Sequence, residues 1–156
     1  DHFAAHPARG LRAMGRVYAG WALSQAFYRE KLYEQVGFSS LEDFLVRSWE
    51  ANFLRRDAHD LLAALETWML SDISDNEIFA GDLSRALWAI TARSVIMPSR
   101  TDLYFTPEDS EIETAGMPNA KFLPIESIWG HRAGNPVQSP DDEAFLRQAV
   151  TELLAG

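Results

Sequence analysis

The chain is 156 residues long, 47% hydrophobic, and carries a formal net charge of −9. That length and apolar content suffice for one packed domain and exclude a disordered chain. The acidity excludes a nucleic-acid partner, because phosphate contacts need a basic face. No apolar run approaches the roughly 18 residues of a membrane span, and the absence of cysteine excludes disulfides and Cys-ligated metal. A chain without cysteine also fits a reducing compartment, so a cytoplasmic location is expected. The chain opens at Asp1 without a Met, and no charged-then-apolar leader is visible.

His6-Pro7 opens the first predicted helix, since Pro is favoured in a first turn. Leu11, Met14, Val17, Tyr18, Trp21, Phe27 and Tyr28 recur mostly at three- and four-residue spacing, which marks one helical face. Gly37 ends that segment. Ser39 or Ser40 caps a second helix, with Glu42 and Asp43 in its first turn and an apolar face through Phe44, Trp49 and Phe53. Asp57 caps a third, which carries Leu61, Leu62, Leu65, Trp68 and Met69. A polar turn at 72–76 follows. Gly81-Asp82 then leads into a fourth helix with Leu83, Leu87 and Ile90.

Near residue 92 the period changes. Ser94 to Met97 is short, apolar and partly β-branched, and Pro98 stops it, which suits a buried parallel strand. Pro107 to Gly116 reads as a helix, Lys121 to Ile125 as a second strand interrupted by Pro124, and Pro140-Asp141-Asp142 as the opening of a last helix. The order strand, helix, strand, helix implies the edge of a parallel sheet. Two strands do not make a stable parallel sheet alone. The expected organisation is a helical, lid-like region over 1–92 and an α/β portion over 93–156.

In an open α/β sheet the reactive residues sit on loops beyond the C-terminal ends of strands. One such loop follows the first strand and holds Asp102. The other follows the second strand and holds Trp129, Gly130, His131 and Arg132. An imidazole can take and return a proton near neutral pH, and a carboxylate can fix its tautomer and stabilise its charged form. Acid before base, one crossover apart, matches the α/β-hydrolase order of nucleophile, acid, base. Taken alone, an Asp and a His in two loops read more readily as surface residues than as a catalytic pair.

The segments MPSRTDLYFTPEDSEIE and MPNAKFLPIESIWGHRAG, with SLEDFLVRSWE, DAHDLLAALETWMLSDIS and GDLSRAL upstream, resemble the homoserine O-acetyltransferase-like group of the α/β-hydrolase superfamily. The similarity runs from about residue 7 onward. It implies an α/β class, the C-terminal part of an α/β-hydrolase fold, with a mostly helical lid followed by two parallel strands and helices. Asp102 would be the triad acid and His131 the base. Trp129 and Arg132 would border the substrate. The helical region would roof the active site and contribute to a homodimer.

Two departures stand out. No G-x-S-x-G-like nucleophile elbow occurs, and Ser24, Ser39, Ser40 and Ser94 all lie in the wrong context for one. Family members that act on homoserine carry an Asp directly after the base, where this chain has Arg132, a cation that would repel an ammonium group.

The implied activity is acetyl transfer from acetyl-CoA to a small, homoserine-type hydroxyl acceptor, with no tightly bound cofactor and the nucleophile outside this chain, which alone is expected to be inactive. The alternatives are an esterase of the same fold, a non-catalytic fragment that self-associates through the lid helices, or an enzyme whose missing N-terminal half is a separate partner. His2, His6 and His59 lack metal-ligand spacing, and the acidic run around Glu108 to Glu113 lacks the loop of a calcium site, so no metal is expected.

Overall fold

The computed structural model describes residues 5–136 and 139–155; His2 lies outside them. The chain forms two compact units, one of residues 1–20 and 28–72, the other of 21–27 and 73–156. Its described elements are α1 (Ala8–Ala22), α2 (Gln25–Arg29), α3 (Leu32–Gln35), α4 (Leu41–Phe44), α5 (Ala51–Leu54), α6 (Ala58–Leu70), α7 (Leu83–Trp88), β1 (Ser94–Ile96), α8 (Pro107–Ala115), β2 (Ala120–Phe122) and α9 (Pro140–Ala155).

In the first unit, Ser40 accepts the Asp43 N–H at 3.1 Å, so Ser40 is the cap of α4. A π-helical segment, Leu45–Glu50, joins α4 to α5. Within this unit α1 meets that segment at Gly15, where a Cβ would lie 2.8 Å from the Trp49 carbonyl oxygen. Only a residue without a side chain lets the two backbones come that close. Leu11 and Phe53 form the core beside this crossing, with Met14, Tyr18 and Trp49 packed against them. Fully buried Phe44 is ringed by Tyr33, stacked at 6.0 Å, and by Phe38, edge-on at 5.0 Å. Arg16 bridges Glu42 and the buried Glu50, so a carboxylate that burial would penalise keeps a cationic partner. The third predicted helix is α6, capped by Asp57 through the His59 N–H. Its predicted apolar face is only partly covered, and Met69 and Leu70 are 84% and 82% exposed.

The single long helix predicted from Pro7 to Gly37 is three shorter ones. Ser24 is the reason for the first break. Its hydroxyl accepts the Phe27 N–H at 2.9 Å, capping α2 rather than continuing α1. Lys31, with φ 54°, makes the second break. The buried face of α1 also differs from the predicted stripe. It runs through Leu11, Gly15, Ala19 and Ala22, while Val17 and Trp21 face out.

In the second unit, β1 and β2 are parallel, pairing Ser94 with Ala120, Val95 with Lys121 and Ile96 with Phe122. The ladder outlasts both prolines. The Pro98 carbonyl accepts the Ile125 N–H at 2.8 Å, and Ser99 bridges Ile125. Pro lacks only the donor, so the pairing resumes around it. Helix α8, capped by Thr106 with Pro107 in its first turn, connects the strands. Helix α9 turns Asp142 and Ala149 inward. Among the described residues no helix is long and apolar enough to cross a membrane.

Candidate active site

The loop after β1 turns back on itself through Asp102. One carboxylate oxygen, Oδ1, accepts the Tyr104 N–H at 2.8 Å and the Phe105 N–H at 3.2 Å. This is the local turn that short acidic side chains favour. The other, Oδ2, lies 2.9 Å from His131 Nδ1. Asp102 is 6% exposed, whereas the His131 side chain is 38% exposed. The sequence places the two residues on separate loops, and the structure brings them into contact.

A carboxylate that already accepts two amide protons is an acceptor toward a third group as well. Nδ1 therefore carries the imidazole proton, and Nε2 presents its lone pair. Among the described residues nothing hydrogen-bonds Nε2. Tyr104 and Phe105 pack against the imidazole, with ring centroids 4.8 and 5.4 Å away. Asp102 thus orients the ring directly and, through its backbone bonds, holds the two aromatics that flank it.

The second loop is fastened from several sides. Thr101 donates to the Ser127 carbonyl at 2.8 Å and accepts the Gly130 N–H at 3.1 Å. The Ser127 hydroxyl donates to Asp142 Oδ2 at 2.7 Å and accepts the Trp129 N–H at 3.1 Å. Ser127 and Asp142 are both buried. Ser24 donates to the Ile128 carbonyl at 2.5 Å, and Trp129 meets Phe27 edge to face at 5.2 Å. Arg100 pairs with Glu126 at 2.9 Å.

His131 and Arg132 lie in a 3-10 turn, Gly130–Gly134. Gly130 has φ 59°, and a Cβ there would lie 2.8 Å from the Ser24 nitrogen. Both facts require glycine. Arg132 is half-buried, and burial pulls its guanidinium below the usual arginine range.

Sequence reasoning missed Thr101, Ser127, Ser24 and Asp142 as parts of this arrangement. Only Ser24 left a signal, as a capping residue ahead of Gln-Ala-Phe. The hydroxyls of Ser24, Thr101 and Ser127 are all spent on carbonyls or on Asp142. Among the described residues no group of three or more His, Cys, Asp or Glu side chains converges to hold a metal.

No family model matches the chain. It is 32% identical over 150 residues to an ethyl acetate hydrolase of Pseudomonas veronii, a match that covers 95% of this chain and 42% of that protein. It superposes on the acetyl esterase MekB with a TM-score of 0.88 and 30% identity, covering 96% of this chain and 42% of that one. An acetylester hydrolase from Corynebacterium glutamicum gives a TM-score of 0.90 and 26% identity, with 99% and 44% covered. The chain therefore spans less than half the length of the proteins it matches. Its fold is the C-terminal part of an α/β-hydrolase fold.

Proposed function

We propose that the protein to which these 156 residues belong cleaves small acyl esters, acetyl esters foremost, with His131 as general base and Asp102 as its orienting acid. The observation that carries this reading is the 2.9 Å contact between a buried carboxylate and an imidazole whose Nε2 is left open. Likeness to an ethyl acetate hydrolase and to acetyl esterases supports the choice of substrate.

The nucleophile is a hydroxyl outside this chain. His131 Nε2 takes its proton as its oxygen bonds the acyl carbon. The bond from that carbon to the alcohol oxygen then breaks, and the proton passes from Nε2 to the leaving alkoxide. Water next bonds the acyl carbon, giving its proton to Nε2. The bond from the acyl carbon to the nucleophile's oxygen breaks, Nε2 returns the proton to that oxygen, and acetic acid leaves and gives up its remaining proton to solvent. Throughout, Asp102 stabilises the charged imidazole without taking the proton.

Transfer of acetyl from acetyl-CoA to a homoserine-type hydroxyl, as the sequence resemblance implies, uses the same pair, with an acceptor hydroxyl in place of water. The named relatives weigh toward water. The test is to give the whole protein ethyl acetate, and separately acetyl-CoA with and without homoserine. Sustained acetate release from the ester, lost in His131→Ala, is the expected result. Thiol release from acetyl-CoA that requires homoserine, with no ester turnover, would replace hydrolysis by transfer.

A further inference from the structure

Two hydrogen bonds run side by side between the loop that carries Asp102 and the loop that carries His131. Asp102 Oδ2 lies 2.9 Å from His131 Nδ1. One residue earlier on each loop, the Thr101 hydroxyl accepts the N–H of buried Gly130 at 3.1 Å. The same hydroxyl donates its proton to the Ser127 carbonyl at 2.8 Å. Its donor and an acceptor position are thus both used on the base's loop, on either side of Ile128 and Trp129. Ser99 reaches the Ser127 carbonyl as well, at 3.3 Å, so the bond that sets Thr101 apart is the one to Gly130.

Ser127 and Ser24 hold the base's loop elsewhere, through Asp142 of α9 and through the Ile128 carbonyl. A bond between the chain neighbours of acid and base fixes something different, the register of one loop against the other. Gly130 joins His131 through one rigid peptide plane, so a displaced Gly130 displaces the imidazole. The carboxylate selects the tautomer protonated on Nδ1 only while Oδ2 stays within hydrogen-bond range of that nitrogen.

We infer that Thr101 is a positioning residue for the proposed ester cleavage: its hydroxyl holds His131 in register with Asp102 and so keeps the imidazole proton on Nδ1. This rests on the reading of His131 as the base.

Thr101→Val keeps the shape of the side chain and removes the hydroxyl, whereas Thr101→Ser keeps the hydroxyl. With ethyl acetate and the whole protein, Thr101→Val should lower kcat roughly tenfold or more while KM stays within about twofold, and Thr101→Ser should recover most of the loss. The second readout is the nitrogen NMR shifts of the His131 ring in its neutral form, assigned against His131→Ala. They should report a proton on Nδ1 in the unaltered protein and in Thr101→Ser, and a mixture with the Nε2-protonated form in Thr101→Val. A role in stability alone leaves the tautomer of the folded protein unmoved. An unchanged kcat, an unchanged tautomer in Thr101→Val, or no recovery in Thr101→Ser overturns the inference. If the unaltered protein cleaves no ester, the reading of the base has failed, and the ring shifts alone decide whether Thr101 sets the register. Should Thr101→Val not fold, Thr101→Cys, with a weaker donor and acceptor at the same place, is read by the same two measurements.

Discussion

The Gly130 backbone stands so close to Ser24 that a β-carbon at position 130 would sit 2.8 Å from the Ser24 nitrogen and 3.0 Å from the Ala22 carbonyl oxygen. The break between α1 and α2 and the turn that carries His131 are thus seated on each other without an intervening side chain. Gly130→Ala meets two costs at once, a left-handed φ and an overlap with backbone that cannot rotate away. Together they amount to about 2 to 4 kcal/mol. Chemical unfolding should show a lower midpoint with an unchanged slope. If some folded protein remains, the proposed ester turnover should fall on the order of 100-fold, because His131, the proposed base, is displaced from its productive position.

Asp102→Asn separates orientation from charge. The amide oxygen can still accept the Tyr104 and Phe105 N–H bonds, so the loop keeps its shape. An amide facing His131 with its NH2 group favours the wrong tautomer and does not stabilise the charged imidazole. Turnover should drop roughly 10,000-fold, carried by kcat, with the folded state retained. Circular dichroism together with steady-state kinetics checks both halves. A loss of less than about tenfold, with the fold intact, would remove Asp102 from the proposed chemistry.

Alkaline pH should act through Tyr28. Burial pushes its phenol up to about 12, and its hydroxyl donates to the Ala19 carbonyl at 2.7 Å, a bond the ionised form cannot make. The folded state therefore holds this proton more tightly than the unfolded chain, whose phenol titrates near 10. The stabilisation is complete below pH 10 and is lost as pH rises toward 12, by about 2 kcal/mol. Urea unfolding across that window should show the decline, and Tyr28→Phe should flatten it.

Much of the site was legible because its residues follow strands. Ser94 to Met97 and Lys121 to Ile125 are short and apolar enough to betray the sheet edge; the strands themselves run over Ser94–Ile96 and Ala120–Phe122, and the loops beyond them carry Asp102 and His131. What fastens those loops was not legible. Thr101 to Ser127, Ser127 to Asp142 and Ser24 to Ile128 join residues 15 to 104 positions apart, and no spacing rule marks a hydroxyl that will meet a distant carbonyl. The break at Ser24 was hidden for a second reason. The apolar spacing continues across it through Trp21, Phe27 and Tyr28, so periodicity alone reads one helix where a side-chain cap starts another. The π-helical turn at Leu45–Glu50 shifts backbone hydrogen bonds by one residue, a change that leaves the apolar pattern untouched.

Ser127 offers the sharpest separation of support from chemistry, since it lies four residues before His131 and its hydrogen bonds go elsewhere. Its hydroxyl donates to buried Asp142 in the first turn of α9 and accepts the Trp129 N–H. Ser127→Ala removes both bonds, leaving a buried carboxylate short of a donor and an amide short of an acceptor. The cost is about 2 to 4 kcal/mol. Asp142→Ala removes the same bond from the other side, leaving the buried Ser127 hydroxyl short of an acceptor. Combining the two should cost less than the sum of the single changes, because the second then finds the bond already gone. A double-mutant cycle in urea measures this coupling. Strictly additive losses would show that the Ser127–Asp142 bond does not hold the His131 loop to α9.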